Sequence, residues 1–224
     1  MWVGLRWDGS SMINCVIFDF DGTLADTEKC SVEIYNELAE KYGYTKFCDE
    51  DVKILKQQTW TELFKLSGIP LSKIPKILKE GQSILFERIS EIKPCSSGFS
   101  ELISSLKKHI QAIGVISSNT RNNIEKFFST HCAEQPDFIL NASLFSKSSK
   151  INYILKKNKI NSSEAIYVGD EIRDIEAAAK SNVRSVCVSW GYNDIFSLMK
   201  AKPVFIVDSF DELLSLIMKE NNFD

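Results

Sequence analysis

Residues 15–27, CVIFDFDGTLADT, carry an apolar, strand-forming run straight into two aspartates one residue apart and then a Gly-Thr turn. Strand side chains repeat with period two, so Asp19 and Asp21 are expected on the same side if extended geometry reaches that far. Two like charges held side by side repel, which calls for a cation or a reacting group between them.

Outward from this run the chain alternates. Apolar, β-branched stretches recur at 110–117 (IQAIGVIS), 137–140 (DFIL), 165–170 (AIYVGD), 183–189 (VRSVCVS) and 203–207 (PVFIV). Segments with helical spacing lie between and after them, at 98–108, 120–130, 149–159, 171–182 and 209–220. Continuous apolar strands alternating with helices predict a parallel sheet covered on both faces, a doubly wound, Rossmann-like α/β fold. In such folds ligands sit outside the carboxyl ends of the strands.

The alternation breaks once. From Glu28 to Lys93 only helical patterns occur, such as CSVEIYNELAEKYG at 30–43 and LSKIPKILKEGQSILFERISEI at 71–92. Pro94 and Gly98 in the KPCSSG stretch punctuate the return. The expected organisation is therefore a core domain of residues 12–27 and 94–224 with a helical cap domain, 28–93, inserted after the first strand. Residues 1–11 read as a leader or an upstream start without fold content.

The chain has 224 residues, and 27 basic against 30 acidic side chains give a formal net charge of -3 without a basic stripe, so no nucleic-acid partner is expected. No apolar run is long enough for a bilayer and the amino terminus lacks a secretory pattern, so no membrane partner and a cytoplasmic location are expected. Six scattered cysteines with no CxxC pair read as reduced and structural.

Four pieces of chemistry stand at strand ends. At the first, a carboxylate such as Asp19 can accept a phosphoryl group as nucleophile, and Asp21 can serve as general acid and base. Gly22 permits the sharp exit from the strand. At the second, GVISSNT, an apolar strand ends in Ser117, Ser118 and Asn119, where a hydroxyl and the following backbone amides can hydrogen-bond a phosphate, although in isolation a loop or helix cap is the better account of them. The third is Lys147, whose ammonium would offset charge on a nucleophile and phosphoryl oxygens; Lys150 is its rival. The fourth is Gly169-Asp170 with Asp174 four residues on: Asp170 can reach a Mg²⁺ near Asp19, with Asp174 in support, while an N-cap reading fits the same residues. The phosphate-contacting set expected at this edge is Gly22, Thr23, Ser117, Ser118, Asn119 and Lys147, beside a metal set of Asp19, Asp21, Asp170 and Asp174.

With these motifs the chain resembles the haloacid dehalogenase (HAD) superfamily, and within it the phosphoglycolate phosphatase-like hydrolases with a helical cap inserted after motif one. The resemblance runs from Met12 to about Met218 and rests on DFDGTLADT and YVGDEIRDIEAA, with VISSNT and the FSK lysine adding less. It implies Asp19 as nucleophile, Asp21 as the acid and base that protonates the leaving alcohol, Ser117 on the phosphoryl group and Lys147 beside the nucleophile. It further implies Mg²⁺ held by Asp19, Asp170 and the backbone carbonyl of Asp21, with Asp174 as second acid. Dehalogenase members lack the second aspartate of motif one, so Asp21 favours phosphoryl chemistry. The β-phosphoglucomutase relatives carry a cap-side histidine, whereas the two histidines here are His109 and His131, outside that stretch. The chain departs from the family pattern in motif three, which lacks the Lys-Pro dipeptide common in phosphoglycolate phosphatases and stands slightly close to Gly169-Asp170, and at Glu171, where Ser or Thr is frequent.

The expected activity is Mg²⁺-dependent hydrolysis of a small phosphorylated metabolite by a monomer or homodimer. A pyrophosphatase, a phosphoryl transferase or mutase, and a phosphate-binding regulator without turnover are the alternatives.

Overall fold

The computed structural model of the chain describes residues 12–56, 65–143 and 146–222. The leader expectation for 1–11, and 57–64 within the cap stretch, lie outside the described residues. Six parallel strands form one sheet: β1 (Cys15–Phe18), β2 (Ala112–Ser117), β3 (Phe138–Asn141), β4 (Ala165–Gly169), β5 (Arg184–Val188) and β6 (Phe205–Val207), in the order β3-β2-β1-β4-β5-β6. β1 lies inside the sheet with all four residues buried, which is why it reads as an unbroken apolar run. Phe18 is level with Val115 on one side and Val168 on the other. Asp19, Ser117 and Asp170 therefore leave the sheet along one carboxyl edge.

The described residues after β1 include the helices α1 (Glu28–Tyr42), α2 (Asp49–Leu55) and α3 (Ile74–Arg88), and no strand occurs among them between Glu28 and Lys93. Gly43 ends α1 in the left-handed region at φ 73°, its N–H donating to Ala39 O. Ile34 and Leu38 of α1 pack with Ile77 and Leu85 of α3, and ion pairs Lys41–Glu80 and Glu37–Arg88 flank that seam. The chain leaves and returns side by side: Asp26 N donates to Lys93 O at 2.9 Å and Cys95 N to Leu24 O at 3.0 Å. The expected helical cap is present.

Both sheet faces are covered. Val16, Phe18, Val115 and Val168 meet α4 (Phe99–His109), α5 (Arg121–His131) and α9 (Phe210–Glu220), while Cys15, Ile17, Ile116 and Tyr167 meet α6 (Lys147–Asn158) and α7 (Ile172–Lys180). The alternation along β1 divides its residues between two apolar layers. All six cysteines are free, four of them buried.

One reading changes. The strand ends at Phe18, and Phe20 O accepts hydrogen bonds from the N–H groups of Thr23, Leu24 and Ala25, so Asp21 sits in a turn and strand periodicity does not govern it. A further helix, α8 (Ile195–Ala201), follows β5 in a stretch to which the sequence pattern assigns no element; Asp194 caps it by accepting from Ser197 N at 2.7 Å. None of the described helices is long and apolar enough to cross a membrane.

Candidate active site

Asp19 extends from the end of β1, and its N–H donates to Val168 O of the neighbouring strand at 2.8 Å. That bond fixes the backbone and directs a carboxylate only 1% exposed to the sheet edge. Lys147, the first residue of α6, is equally buried, and its Nζ donates to Asp19 Oδ2 at 2.6 Å and to Asp174 Oδ1 at 2.5 Å. Burial opposes ionisation of Asp19, but Lys147 and then Arg173 outweigh it and hold the carboxyl below its ordinary value. Burial likewise works against the Lys147 charge, and Asp174 and Asp19 reverse this, so the ammonium is held. Lys150, one turn further along α6, pairs with neither carboxylate, so geometry separates two lysines that sequence left as rivals.

Asp170 follows β4 and is fully buried. Thr23 Oγ1 donates to its Oδ1 at 2.6 Å and Tyr192 N to its Oδ2 at 2.8 Å. Burial first, then Glu171, Asp174 and Asp19, push the Asp170 carboxyl well above the usual carboxylate range. Asp174 is pushed up to about 6 by burial, against the pull of Lys147. Its Oδ2 also accepts from Glu171 N at 3.1 Å, which makes Asp174 the third-residue partner of a capping box; the helix is capped at Glu171, one residue beyond the aspartate that the N-cap reading had in that place. Four buried acids, Asp19, Asp170, Glu171 and Asp174, thus face two cations, Lys147 and Arg173, the latter paired with Glu171 and 4.0 Å from Asp19.

That imbalance bears on a metal. Carboxylate oxygens of Asp19, Asp170 and Asp174 lie within 4.8 Å of one another, and Asp19 Oδ1 is buried with no hydrogen-bond partner among the described residues. An all-oxygen, acid-rich set with an unpartnered buried oxygen fits a hard divalent cation. The Asp21 side chain stands outside this cluster.

Asp21 is instead held as a separate group. Its Oδ1 accepts from Thr27 Oγ1 and from Asn119 Nδ2, both at 2.9 Å, while Oδ2 takes only a longer bond from the same amide, 3.1 Å. Burial, with the Asp19 charge adding to it, pushes this carboxyl up to about 6. Of the expected phosphate contacts, Ser117 is buried at the end of β2 with its Oγ accepting from Asn119 N at 3.1 Å, and Ser118 lines the adjoining cavity. Two readings shift: Thr23 gives its hydroxyl to Asp170, and the fully buried Asn119 gives its amide to Asp21, so both support carboxylates. Gly22, at φ 74°, is required by space as well as by conformation, since a Cβ there would stand 2.4 Å from both Asp170 Oδ2 and the Tyr192 ring.

Above this edge lies a cavity of about 570 Å³. Asp21, Ser118, Lys147 and Arg173 line its floor, and Ile34, Tyr35 and Leu38 of α1 and Ile77 and Leu85 of α3 line its roof. The helical insert therefore covers the carboxylates. Sequence reading missed Thr27, Arg173, Gly191 and Tyr192. Thr27 and Arg173 stand inside the quoted motifs and could have been taken from them; Gly191 and Tyr192 follow β5, where no acid or hydroxyl pair marks the site.

Comparisons with known proteins bear on the chain as a whole. The family described as haloacid dehalogenase-like hydrolase matches residues 16–188. The chain is 28% identical to a phosphoglycolate phosphatase of Synechococcus elongatus over 92% of this chain and 97% of that one. It is 23% identical to the pyrophosphatase PpaX of Bacillus mycoides, over 93% and 99%. A crystal structure titled as a predicted phosphatase from Clostridium acetobutylicum superposes with a TM-score of 0.76 at 24% identity, covering 93% of this chain and all of that one, a likeness of fold.

Proposed function

Given that the chain belongs to the haloacid dehalogenase-like hydrolase family and is a phosphatase, we propose that it hydrolyses a small phosphorylated metabolite with Mg²⁺ through an aspartyl phosphate on Asp19. One observation carries the reading. Of two neighbouring aspartates, Asp19 is kept ionised by Lys147, while Asp21 is pushed up to about 6 by burial. Carboxyls driven apart in this way suit one to attack and the other to carry a proton.

In the first half-reaction an Asp19 carboxylate oxygen bonds to phosphorus as the phosphorus–oxygen ester bond breaks, and Asp21 delivers its proton to the departing alkoxide. In the second, Asp21, now ionised, takes a proton from water as that water attacks phosphorus, releasing inorganic phosphate and restoring Asp19. Lys147 offsets charge on Asp19 throughout, and Ser117 and Ser118 offer hydroxyls to the phosphoryl oxygens. When bound through Asp19, Asp170, Asp174 and the Asp21 carbonyl, Mg²⁺ would supply further neutralisation of the phosphoryl charge.

Residues 28–93 act in this reading as a cap over a core of 12–27 and 94–224, excluding bulk water from the ester. A monomer or homodimer in the cytoplasm, with reduced cysteines and no nucleic acid or membrane partner, fits the reading. Pyrophosphate is the second substrate to try, because the Bacillus relatives bear that activity in their names. A regulator without turnover is disfavoured, since the full set of acids and the lysine is retained.

The test is phosphate release from a panel of phosphate esters and pyrophosphate, with Mg²⁺ and with EDTA. Turnover that needs Mg²⁺ and disappears in Asp19→Asn supports the reading. A folded, Mg²⁺-supplied protein that releases no phosphate from any of them overturns it.

A further inference from the structure

Tyr192, in the loop between β5 and α8, reaches three separate parts of the site. Its N–H donates to Asp170 Oδ2 at 2.8 Å, its ring packs where a Cβ on Gly22 would stand, and its hydroxyl lies 3.1 Å from Thr27 Oγ1 and 3.1 Å from Ser31 Oγ of α1. Thr27 in turn donates to Asp21 Oδ1 at 2.9 Å. Ser31, Tyr192, Thr27 and Asp21 form one continuous row from the helical insert to the acid beside Asp19.

Proton counting gives the row a direction. Thr27 has one hydroxyl proton and spends it on Asp21, so its contact with Tyr192 needs a proton from Tyr192. Tyr192 faces two hydroxyls, donating to Ser31 in one setting and to Thr27 in the other. The second setting is the one that completes the row to Asp21 Oδ1, which accepts from Thr27. The loop is itself anchored: Asn193 Nδ2 and Asp194 N both donate to Lys56 O, at 2.9 and 3.2 Å.

We propose that Tyr192 is a positioning residue for the acid step, fixing the Thr27 hydroxyl so that Asp21 Oδ1 is engaged and Oδ2 is presented to the departing oxygen. The geometry supports this allocation, because Oδ1 receives two donors at 2.9 Å and Oδ2 only one at 3.1 Å. The inference rests on the reading of Asp21 as the general acid.

The experiment compares kcat/KM, which reports the step that expels the alcohol, on two kinds of ester. 4-Nitrophenyl phosphate has a leaving group that departs without protonation; 2-phosphoglycolate, or the best alkyl phosphate in the panel, does not. General acid catalysis contributes about 10²–10⁴-fold, and mispositioning the acid forfeits part of it. Tyr192→Phe is expected to lower kcat/KM on the alkyl ester about tenfold and on the aryl ester less than about twofold. Thr27→Val, which removes the donor to Asp21, is expected to show the same selectivity with a larger loss, and it carries the test should Tyr192→Phe not fold. Equal losses on both esters, or no loss on either, overturn the proposal. Asp21→Asn is the control: if it too fails to discriminate between the esters, the acid assignment is at fault; if it discriminates and the other two variants do not, Tyr192 is at fault.

Discussion

Lys147 Nζ stands 2.6 Å from Asp19 Oδ2, an ion pair between side chains only 2% and 1% exposed. A buried pair of this kind is weak evidence for net stability, but breaking it by removing one partner leaves an uncompensated charge. Its use is chemical, because it keeps Asp19 ionised at a sheet edge crowded with other acids.

Replacing this lysine therefore costs activity and stability together. Lys147→Ala is expected to lower kcat at least about a hundredfold and to destabilise the fold by about 3 kcal/mol, since Asp19 and Asp174 both lose their ammonium. Lys150→Ala is expected to stay within about twofold of wild type in rate, within the ordinary range of surface changes in stability. Phosphate release and urea unfolding of the two variants check this; equal effects would contradict it.

A second prediction concerns pH without metal. Asp21 rises from an ordinary 3.8 to about 6 on folding, as does Asp174, so between those values the folded state binds more protons than the unfolded state. These two groups thus contribute stability that is fully present below about pH 3.8 and is lost as pH rises through about 6. Melting in EDTA should show Asp21→Asn gaining a few degrees on wild type between about pH 4 and about pH 6.5, while Mg²⁺ raises the wild-type melting temperature at neutral pH by mass action. A wild-type to variant difference that does not change with pH would contradict the Asp21 assignment.

A third concerns the loop after β5. A Cβ on Gly191 would stand 2.1 Å from Asp170 Cβ, a distance that forces one of the two to move. Gly191→Ala is expected to fold yet to need at least about tenfold more Mg²⁺ for half-maximal activity, because displaced metal ligands and their supports typically cost 10–100-fold. Mg²⁺ titration of phosphate release checks this, and an unchanged midpoint would contradict it.

Much of this was legible because the residues that define the fold also define the chemistry. The buried run into Asp19 predicts a central parallel strand, and the same aspartate is the nucleophile candidate. Asp170 and Asp174 were readable because a strand-Gly-Asp-helix sequence carries a fixed spacing. The lysine was not: Lys147 and Lys150 stand on one helix, and only the start of α6 relative to β1 decides which reaches Asp19. Thr23 and Asn119 were read as phosphate contacts because a buried hydroxyl or amide looks the same in sequence whether it serves a ligand or a neighbouring carboxylate. Tyr192 left no local signal at all, since its role comes from parallel packing that brings the end of β5 beside a turn 165 residues earlier, at Thr27.

The central claim is that Asp19 takes the phosphoryl group, and chemical trapping tests it most directly. Protein mixed with Mg²⁺ and 4-nitrophenyl phosphate, quenched and reduced with borohydride, should yield homoserine at position 19 in the peptide containing DFDGTLADT, and none in Asp19→Asn. Turnover accompanied by trapping at another residue, or turnover retained in Asp19→Asn, would contradict the account.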